Sequence, residues 1–308
     1  MTDKEQRGGR TRAFLIVLAT IGGLALLTFF AFVLLIGSLF LKSGVAPSSL
    51  APEAEGVGIV RLEGVIVTPE KVLKDLRNFR ENDRVKAIVL RIDSPGGAVG
   101  ASQELYQAIR QVDKEKPVVA SLVNTAASGA FYAACASRWI VSDPGTITGS
   151  IGVIMKLPNI SGLLQRLGIK TTVIKSGKLK DLASITRDLT PEERQVLKGV
   201  MDDIHNQFIQ DVAKGRNLPV EDVSRVADGR IFSGRQALAL HFVDELGNFS
   251  TAVKKAAELG KIKGKPALIY PQKDKITALK EILEDSGARS MLKFLNLLFL
   301  NDSSGVPH

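Results

Sequence analysis

One serine, Ser128, stands where a hydrolytic nucleophile could be held. It lies in the segment Asn124–Ala130, between the apolar run 117–123, which is typical of a strand, and a helical pattern at 127–136. A serine at a strand-to-helix turn, flanked by small residues, has its hydroxyl near a helix start with room for a substrate backbone. Serine is also a preferred helix N-cap, so a purely structural role stays open.

Two glycines could supply the oxyanion site that acyl transfer needs. Gly96 and Gly97 follow the predicted strand 85–93 and open the predicted helix 97–113. Backbone N–H groups at a helix start are unhindered at glycine and carry partial positive charge, which suits an oxyanion hole. The spacing does not match the G-x-G-x-x-G dinucleotide fingerprint. A plain tight turn is the alternative.

A serine nucleophile needs a base, and the sequence favours lysine over histidine. No G-x-S-x-G elbow is present, and neither His205 nor His241 falls in a segment that indicates a Ser-His-Asp triad. A lysine can accept a proton when burial in an apolar pocket keeps it neutral. Lys178 and Lys180, in the segment 176–181 after a predicted strand, are the candidates; solvated loop lysines are the alternative.

Composition excludes several other chemistries. The 308-residue chain has one cysteine, Cys135, so it can form neither an intrachain disulfide nor a zinc site of several thiolates. The three histidines are scattered, and we predict no metal and no other cofactor. The net charge is +9, but the basic residues alternate with acidic ones and form no long run. Nucleic acid is therefore not an expected partner.

Six short motifs occur in order along the chain: DSPGG at 93–97, NTAASG at 124–129, TGSIGV at 148–153, SGKLKD at 176–181, ADGRIFSGRQA at 227–237 and VDELG at 243–247. This set closely resembles the bacterial signal peptide peptidase SppA family, membrane-anchored serine proteases of the Ser–Lys dyad type. The resemblance covers about residues 56–258 and is to the short, single-repeat form. Ala130 departs from the pattern, because a second glycine is frequent there, and this could narrow the site slightly.

The resemblance implies the roles of the side chains in these motifs. Ser128 would be the nucleophile. Lys180 would be the general base rather than Lys178, because it stands immediately before Asp in the matching motif. Ser150 would hydrogen-bond the lysine amine and orient it.

The resemblance also implies an oxyanion hole and an assembly. The backbone N–H groups of Gly129 and of the Gly96–Gly97 pair would hold the oxyanion. Members of the family use the crotonase/Clp-protease fold and form homo-oligomeric rings or domes, for which eight copies is one candidate number. In the short form, each dyad combines serine and lysine from neighbouring subunits.

Strand and helix patterns alternate along the chain. We predict strands at 57–67, 85–93, 117–123, 137–143, 148–155 and 170–176, with helices at 69–82, 97–113 and 127–136. Thr190 as N-cap, followed by proline and two glutamates, predicts a further helix to about Lys214. This alternation predicts an α/β domain with a largely parallel sheet, and the resemblance makes it a crotonase/Clp-protease-like ββα superhelix.

An uncharged run at 13–41 predicts one N-terminal transmembrane helix. As a helix it would be about 43 Å long, more than the roughly 30 Å of a bilayer core. A cleaved signal peptide is the alternative, but its apolar core is usually about half as long. Four basic residues precede the run, so the positive-inside rule places the N-terminus in the cytoplasm and residues 43–308 outside it. We expect a single-pass protein of the bacterial inner membrane with a periplasmic or extracellular catalytic domain.

The predicted domain organisation has five parts: a cytoplasmic tail at 1–12, a transmembrane anchor at 13–41, a linker at 42–55, a Ser–Lys protease domain at 56–260 and a C-terminal extension at 261–308. The extension carries an apolar helical pattern from Met291 to Leu300, which is too short to span a bilayer. We interpret it as a packing or oligomerisation helix, with a second membrane contact as the alternative.

We therefore predict a membrane-anchored serine endopeptidase that degrades remnant signal peptides after signal peptidase has released them. Its pocket is expected to prefer small or apolar side chains. Activity should rise toward alkaline pH, because the lysine base must be neutral. The alternatives are a regulatory or quality-control protease for membrane proteins, a crotonase-like acyl-CoA enzyme, and a catalytically inactive membrane scaffold.

Overall fold

The computed structural model describes residues 55–271 and, nearer the N-terminus, residues 20, 22–24, 26–32 and 34. Contacts divide the chain into two units, Met1–Glu53 and Ala54–His308. In the first unit, the described residues are helical and their large apolar side chains are exposed. No helix within the described residues has both the length and the apolar character that a membrane crossing requires.

Several predicted segments lie outside the described residues. They are the tail 1–12, most of the anchor 13–41, the linker up to residue 54, and residues 272–308 of the C-terminal extension. Their assignments stay predictions.

The second unit is built on a mixed sheet with helices on both faces. Its strands are β1 Gly56–Glu63, β2 Val85–Ser94, β3 Val118–Ala127, β4 Trp139–Ser142, β5 Ile147–Gly149, β6 Ile231–Ser233, β7 Glu245–Leu246 and β8 Ala267–Ile269. Its helices are α1 Glu70–Glu81, α2 Val99–Glu115, α3 Gly129–Ala134, α4 Ser161–Arg166, α5 Pro191–Arg216, α6 Val220–Ser224, α7 Gly234–Ala239 and α8 Phe249–Leu259. The α/β prediction is confirmed.

The strands follow the order β6-β5-β3-β2-β1-β8, with β4 beside β3 and β7 beside β4. All pairings are parallel except that of β5 with β6. Strand β3 forks: its first half pairs with β4, and its last residues, Thr125 to Ala127, pair with β5. The fork leaves the carboxyl end of β3 beside the carboxyl end of β2, where the predicted nucleophile follows.

The central strands are buried on both faces, as their continuous Val/Ile/Leu runs predict. One face carries the larger core, in which α1, α2, α3 and α5 bury residues such as Leu76, Ile109, Phe131 and Phe208. The other face is covered by α8, whose small buried residues Ala252 and Ala256 pack against strand valines. Packing on both faces thereby holds the strands whose carboxyl ends carry the predicted site.

A long segment that we call the arm, residues 152–190, contains no buried residue. It includes α4, and its exposed apolar side chains are Ile154, Met155, Leu157, Leu163, Leu167, Ile169, Val173, Ile174 and Ile185. The predicted strands at 148–155 and 170–176 are wrong: only Ile147–Gly149 is a strand, and 170–175 has no regular structure. Beyond Gly149, these β-branched patterns have no partner strand among the residues that the structure describes.

Candidate active site

Ser128 joins β3 to α3 in a backbone conformation that is rare for a residue with a side chain. Its φ is 53° and its ψ is −126°. Its N–H donates to the carbonyl of Gly149 at 2.8 Å, and its own carbonyl accepts from the N–H of Tyr132 at 2.9 Å. A non-glycine residue in such a region costs about 1–3 kcal/mol and persists only when its surroundings hold it there.

The hydroxyl of Ser128 makes no capping hydrogen bond to α3, although Ser128 occupies the N-cap position. The structural alternative for this serine, a helix cap, is therefore wrong. The backbone hydrogen bonds to β5 and α3 instead fix the residue and leave its Oγ unused by the helix.

The three predicted oxyanion glycines meet beside Ser128. A Cβ added to Gly96 (φ +95°) would lie 2.7 Å from the nitrogen of Gly129 and 2.9 Å from the Cβ of Ser128. A Cβ on Gly129 would collide with Ser102 Oγ, and one on Gly97 would collide with the Ile66 carbonyl. Only glycine allows these three backbone segments to approach one another so closely.

Two N–H groups in this cluster are free to bind an anion. Ile66 accepts from Ala98 and donates to the carbonyl of Gly96, so the N–H of Gly97 points away from this pairing. Gly129 is the first residue of α3, and its N–H has no acceptor within the helix. Gly97 and Gly129 can therefore donate to one developing oxyanion, whereas the N–H of Gly96 already donates to Ser94 Oγ at 3.1 Å.

Asp93 ties the two predicted motifs together at the strand ends. Its carboxylate accepts from Asn124 Nδ2 at 2.7 Å and from the N–H of Thr125 at 3.2 Å. The β2–β3 register shifts at this point, between Ile92 and Ser94. The carboxylate binds the N–H of Thr125 beside this irregularity and so links the end of β2 to β3 three residues before Ser128. The DSPGG motif contains this aspartate, but sequence reasoning gave it no role.

A narrow cavity of about 20 Å³ opens beside Ser128. Its lining is mostly apolar and includes Val99, Tyr132, Val153, Ile204 and Phe208. Space of this size holds roughly one water molecule, or a group the size of a methyl. The residues that line it include no lysine, histidine or carboxylate, so within the described part of the chain this cavity contains no base for Ser128.

Tyr132 forms one wall of this cavity and is held by α5. Its hydroxyl donates to the carboxylate of Asp211, and its ring packs against Phe208 and Tyr106. Burial, and then the hydrogen bond to Asp211, raises the pKa of Tyr132, so the phenol stays protonated. Burial, together with the charge of Asp211, also raises the pKa of Tyr106 to about 12. These aromatic contacts, which sequence reasoning missed, lock α5 onto α3.

The predicted supporting residue Ser150 lies directly after β5. Its φ is 53°, and its N–H donates to the carbonyl of Arg230 at 2.8 Å. The preceding residue, Gly149, accepts the N–H of Ser128. The structure therefore brings Ser150 close to the backbone of the nucleophile.

The predicted base, Lys180, lies in an exposed turn of the arm and not in the Ser128 cavity. Its N–H donates to the carbonyl of Gly177 at 3.1 Å. The neighbouring lysine, Lys178, forms an ion pair with Glu192. One chain therefore assembles the nucleophile and the oxyanion glycines, while Lys180 stays apart from them.

Comparisons with known proteins show that two family models match this part of the chain. Residues 110–263 match Peptidase family S49, and residues 66–140 match Clp protease. The second match agrees with a Clp-protease-like form of the mixed α/β sheet described above.

Individual relatives carry protease names. The chain is 47% identical over 192 residues to the Synechocystis protein slr0021, covering 62% of this chain and 69% of that one. It is 37% identical over 179 residues to an Enterococcus faecium protein that carries the name signal peptide peptidase SppA, covering 58% and 52%. It is 32% identical over 241 residues to the chloroplastic serine protease SPPA of Arabidopsis thaliana, covering 76% and 36%. The chain thus spans between 36% and 69% of the length of these relatives.

Proposed function

Since this chain belongs to peptidase family S49 and is a serine-type peptidase, we propose that it is a membrane-anchored endopeptidase that degrades remnant signal peptides with a Ser128/Lys180 dyad. The observation that carries the proposal is the strained turn at Ser128, which leaves the hydroxyl unused and places it beside two free N–H groups. A free hydroxyl beside two N–H donors is the arrangement that acyl transfer requires.

The proposed reaction follows from these groups. A neutral Lys180 takes the proton of the Ser128 hydroxyl as the oxygen attacks the scissile carbonyl. The N–H groups of Gly97 and Gly129 receive the charge that develops on the carbonyl oxygen; losing one such donor typically costs about 10²–10³ in rate. Lys180 then protonates the leaving amine, and a water molecule hydrolyses the acyl-serine ester.

We infer that the lysine reaches Ser128 from a second copy of the chain. The cavity at Ser128 contains no base, and Lys180 lies in an exposed arm. Within one chain, Arg187 ties the part of the arm that carries Lys180 to Glu193 at the start of α5, whereas Ile204 and Phe208 of the same helix line the cavity, about 16–22 Å further along its axis. The exposed apolar side chains of the arm support docking on another copy, since a patch of this kind marks an interaction site.

The size and lining of the cavity support a substrate with small apolar side chains next to the scissile bond. About 20 Å³ leaves room for a side chain such as alanine, and the apolar walls would not satisfy a charged one. Remnant signal peptides are apolar and carry small residues near their cleaved ends. The names of the Enterococcus and Arabidopsis relatives support the same substrate class.

We propose that residues 13–41 anchor the protein in the bacterial inner membrane, with the catalytic unit on the periplasmic or extracellular side. The uncharged length of the run and the four basic residues before it support this topology. The exposed apolar side chains of the described helical residues 24–34 support it further.

The test is hydrolysis of a fluorogenic peptide by the full chain, compared with Ser128→Ala and Lys180→Ala from neutral to alkaline pH. Each variant should lose about 10³-fold or more in rate, and wild-type activity should rise with pH. Full activity of Ser128→Ala would overturn the nucleophile, and a flat pH profile would overturn the lysine base. A correctly assembled but inert wild type would favour the scaffold alternative.

Co-expression of the two inactive variants tests the shared dyad. If serine and lysine come from neighbouring copies, random mixing restores about a quarter of the sites, because an intact serine then meets an intact lysine. If both come from one chain, the mixture stays inactive.

A further inference from the structure

Arg187 connects the Lys180 turn to the start of α5. Its Nε donates to Asp181 Oδ2 at 2.7 Å, and its Nη2 donates to the carbonyl of Asp181, also at 2.7 Å. On its other side the guanidinium binds Glu193 through both carboxylate oxygens, at 2.9 and 2.6 Å. Four contacts from one planar group therefore join two segments of chain.

Glu193 is a fixed end for this connection. It is 3% exposed and occupies the third position of α5, where it completes a capping box with Thr190. Thr190 donates its N–H to Glu193 Oε2 at 2.9 Å, and the N–H of Glu193 donates to Thr190 Oγ1 at 3.2 Å. The carboxylate that holds Arg187 is thus part of the helix start and cannot move independently of α5.

Asp181 is the other end, and it directly follows Lys180. Because Arg187 binds both the side chain and the carbonyl of Asp181, it fixes the backbone at this position as well as the carboxylate. The N–H of Lys180 closes the turn on the carbonyl of Gly177. The position of the lysine backbone therefore depends on Arg187.

Packing gives this turn little other support. Every residue from 152 to 192 is at least partly exposed, so no hydrophobic core determines where the turn lies. A planar guanidinium that binds two carboxylates has a defined geometry that a lysine ammonium cannot reproduce. The four contacts that Arg187 makes with Asp181 and Glu193 therefore restrain the backbone beside Lys180 directly.

We propose that Arg187 and Glu193 are positioning residues that hold Lys180 at the place and angle from which it reaches a serine nucleophile. The inference rests on the proposed Ser128/Lys180 dyad and adds the element that aims its base. Neither residue contacts substrate; both act through Asp181 on the lysine.

The test compares kcat and KM of the full chain with those of Arg187→Ala, Arg187→Lys and Glu193→Gln. A displacement of about 1 Å in a reacting group can cost about 10²-fold, so we expect kcat to fall about 10- to 100-fold in Arg187→Ala. KM should stay within about twofold, since the cavity at Ser128 is untouched. Arg187→Lys keeps the charge but not the fork and should recover only a small part of kcat.

Two controls separate positioning from folding. Arg225→Ala removes an exposed arginine that pairs with Asp222 away from the site, and it should leave kcat and KM unchanged. The thermal midpoint and the assembly state of each variant are measured in parallel. If Arg187→Ala does not assemble, Arg187→Lys and Glu193→Gln provide the comparison.

The outcomes are distinct. Unchanged kcat in Arg187→Ala and Glu193→Gln, a full rescue by Arg187→Lys, or a loss that follows only the amount of assembled protein would overturn the positioning role. Activity retained in Lys180→Ala would overturn the dyad itself. A Lys180→Ala variant that is inactive beside a fully active Arg187→Ala would overturn this inference alone.

Discussion

Ser128 is held in a strained backbone conformation by its neighbours, not by its own preference. The hydrogen bond from its N–H to Gly149 and the helix that begins at Gly129 define its φ and ψ. This resembles the strain that other active sites maintain where a side chain must be aimed. The cost is intrinsic to any residue with a Cβ at this position.

We therefore predict that Ser128→Gly stabilises the protein while abolishing hydrolysis. Glycine relieves backbone strain of about 1–3 kcal/mol in the folded state. Part of this is offset because glycine makes the unfolded chain more flexible, so the free energy of unfolding should rise by about 1 kcal/mol. Ser128→Ala should show no such gain, although it is equally inactive. Thermal unfolding of both variants measures the difference.

Asn217→Gly is the matched control for this prediction. Asn217 also has a positive φ, 54°, but it caps α5 in the left-handed helical region that asparagine tolerates. Asn217→Gly should therefore raise the free energy of unfolding less than Ser128→Gly does. Equal gains at the two positions would contradict the assignment of special strain to the nucleophile.

The cavity next to Ser128 leads to a prediction on specificity. Ile204 lines it from α5 and is only partly buried, so Ile204→Ala should enlarge it at less than the roughly 2–5 kcal/mol that a fully buried isoleucine would cost. The rate for peptides with a leucine before the scissile bond should rise relative to those with alanine. Val196→Ala, an exposed substitution on the same helix, should leave the ratio unchanged.

The placement of Ser128 and of the three glycines at strand-to-helix turns could be predicted from sequence because their environment is local, whereas their catalytic roles are what the family resemblance implies. Each lies within a few residues of a strand end and a helix start, and the strand and helix patterns locate both. The roles of Asp93, Asp211 and Arg187 could not be predicted in this way. The fold brings Asp211 close to Tyr132, which is 79 residues away in the chain. Arg187 meets Asp181 and Glu193, each six residues away, in an irregular segment where no helix or strand periodicity indicates the contact.

Helix α5 contributes to both regions of the proposed site: Phe208 lines the cavity at Ser128, and Glu193 binds Arg187 beside the Lys180 turn. Thr190 and Pro191 begin the helix as predicted, and the structure adds a capping box that Glu193 completes. The same glutamate serves both the helix and Arg187. Its hydrogen bonds, from Arg187 first and then from the backbone of Thr190, lower its pKa to about 2 from an ordinary 4.5.

This shift predicts how acid affects stability. Because the folded state lowers the pKa of Glu193, its stabilising contribution is complete above about pH 4.5 and is lost as the pH falls toward 2. In Glu193→Gln, the thermal midpoint should therefore fall less over this window than it does in the wild type. Glu192→Gln, at the adjacent carboxylate that is half exposed, should keep the wild-type dependence.

The errors of strand prediction also lie at the level of elements. Segments 148–155 and 170–176 have the β-branched composition of strands, but of their residues only Thr148 and Gly149, in β5, pair with another strand. Hydrophobic periodicity indicates that one face of a segment is buried, but it does not identify what buries that face. A surface covered by a second copy of the chain would carry the same pattern as a strand in a sheet.

At the level of the whole molecule, the arm predicts assembly. Ile174 is 97% exposed, so Ile174→Asp would place a charge where we expect an apolar contact between copies. The variant should sediment as a smaller species than the wild type and should lose activity without losing thermal stability. Val220→Asp, an exposed apolar position at the start of α6 where an acidic residue is tolerated, should assemble normally.

The exposed arm also has a consequence for where and when the peptidase is active. If the base comes from a second copy, as we propose, a solitary copy has a nucleophile without its base and is harmless to surrounding proteins. If residues 13–41 also anchor the protein, activity depends on the density of copies in the membrane, because copies confined to one membrane meet more readily than copies free in three dimensions. A low number of copies would then keep the peptidase inactive, without an inhibitor or a prosegment that must be removed.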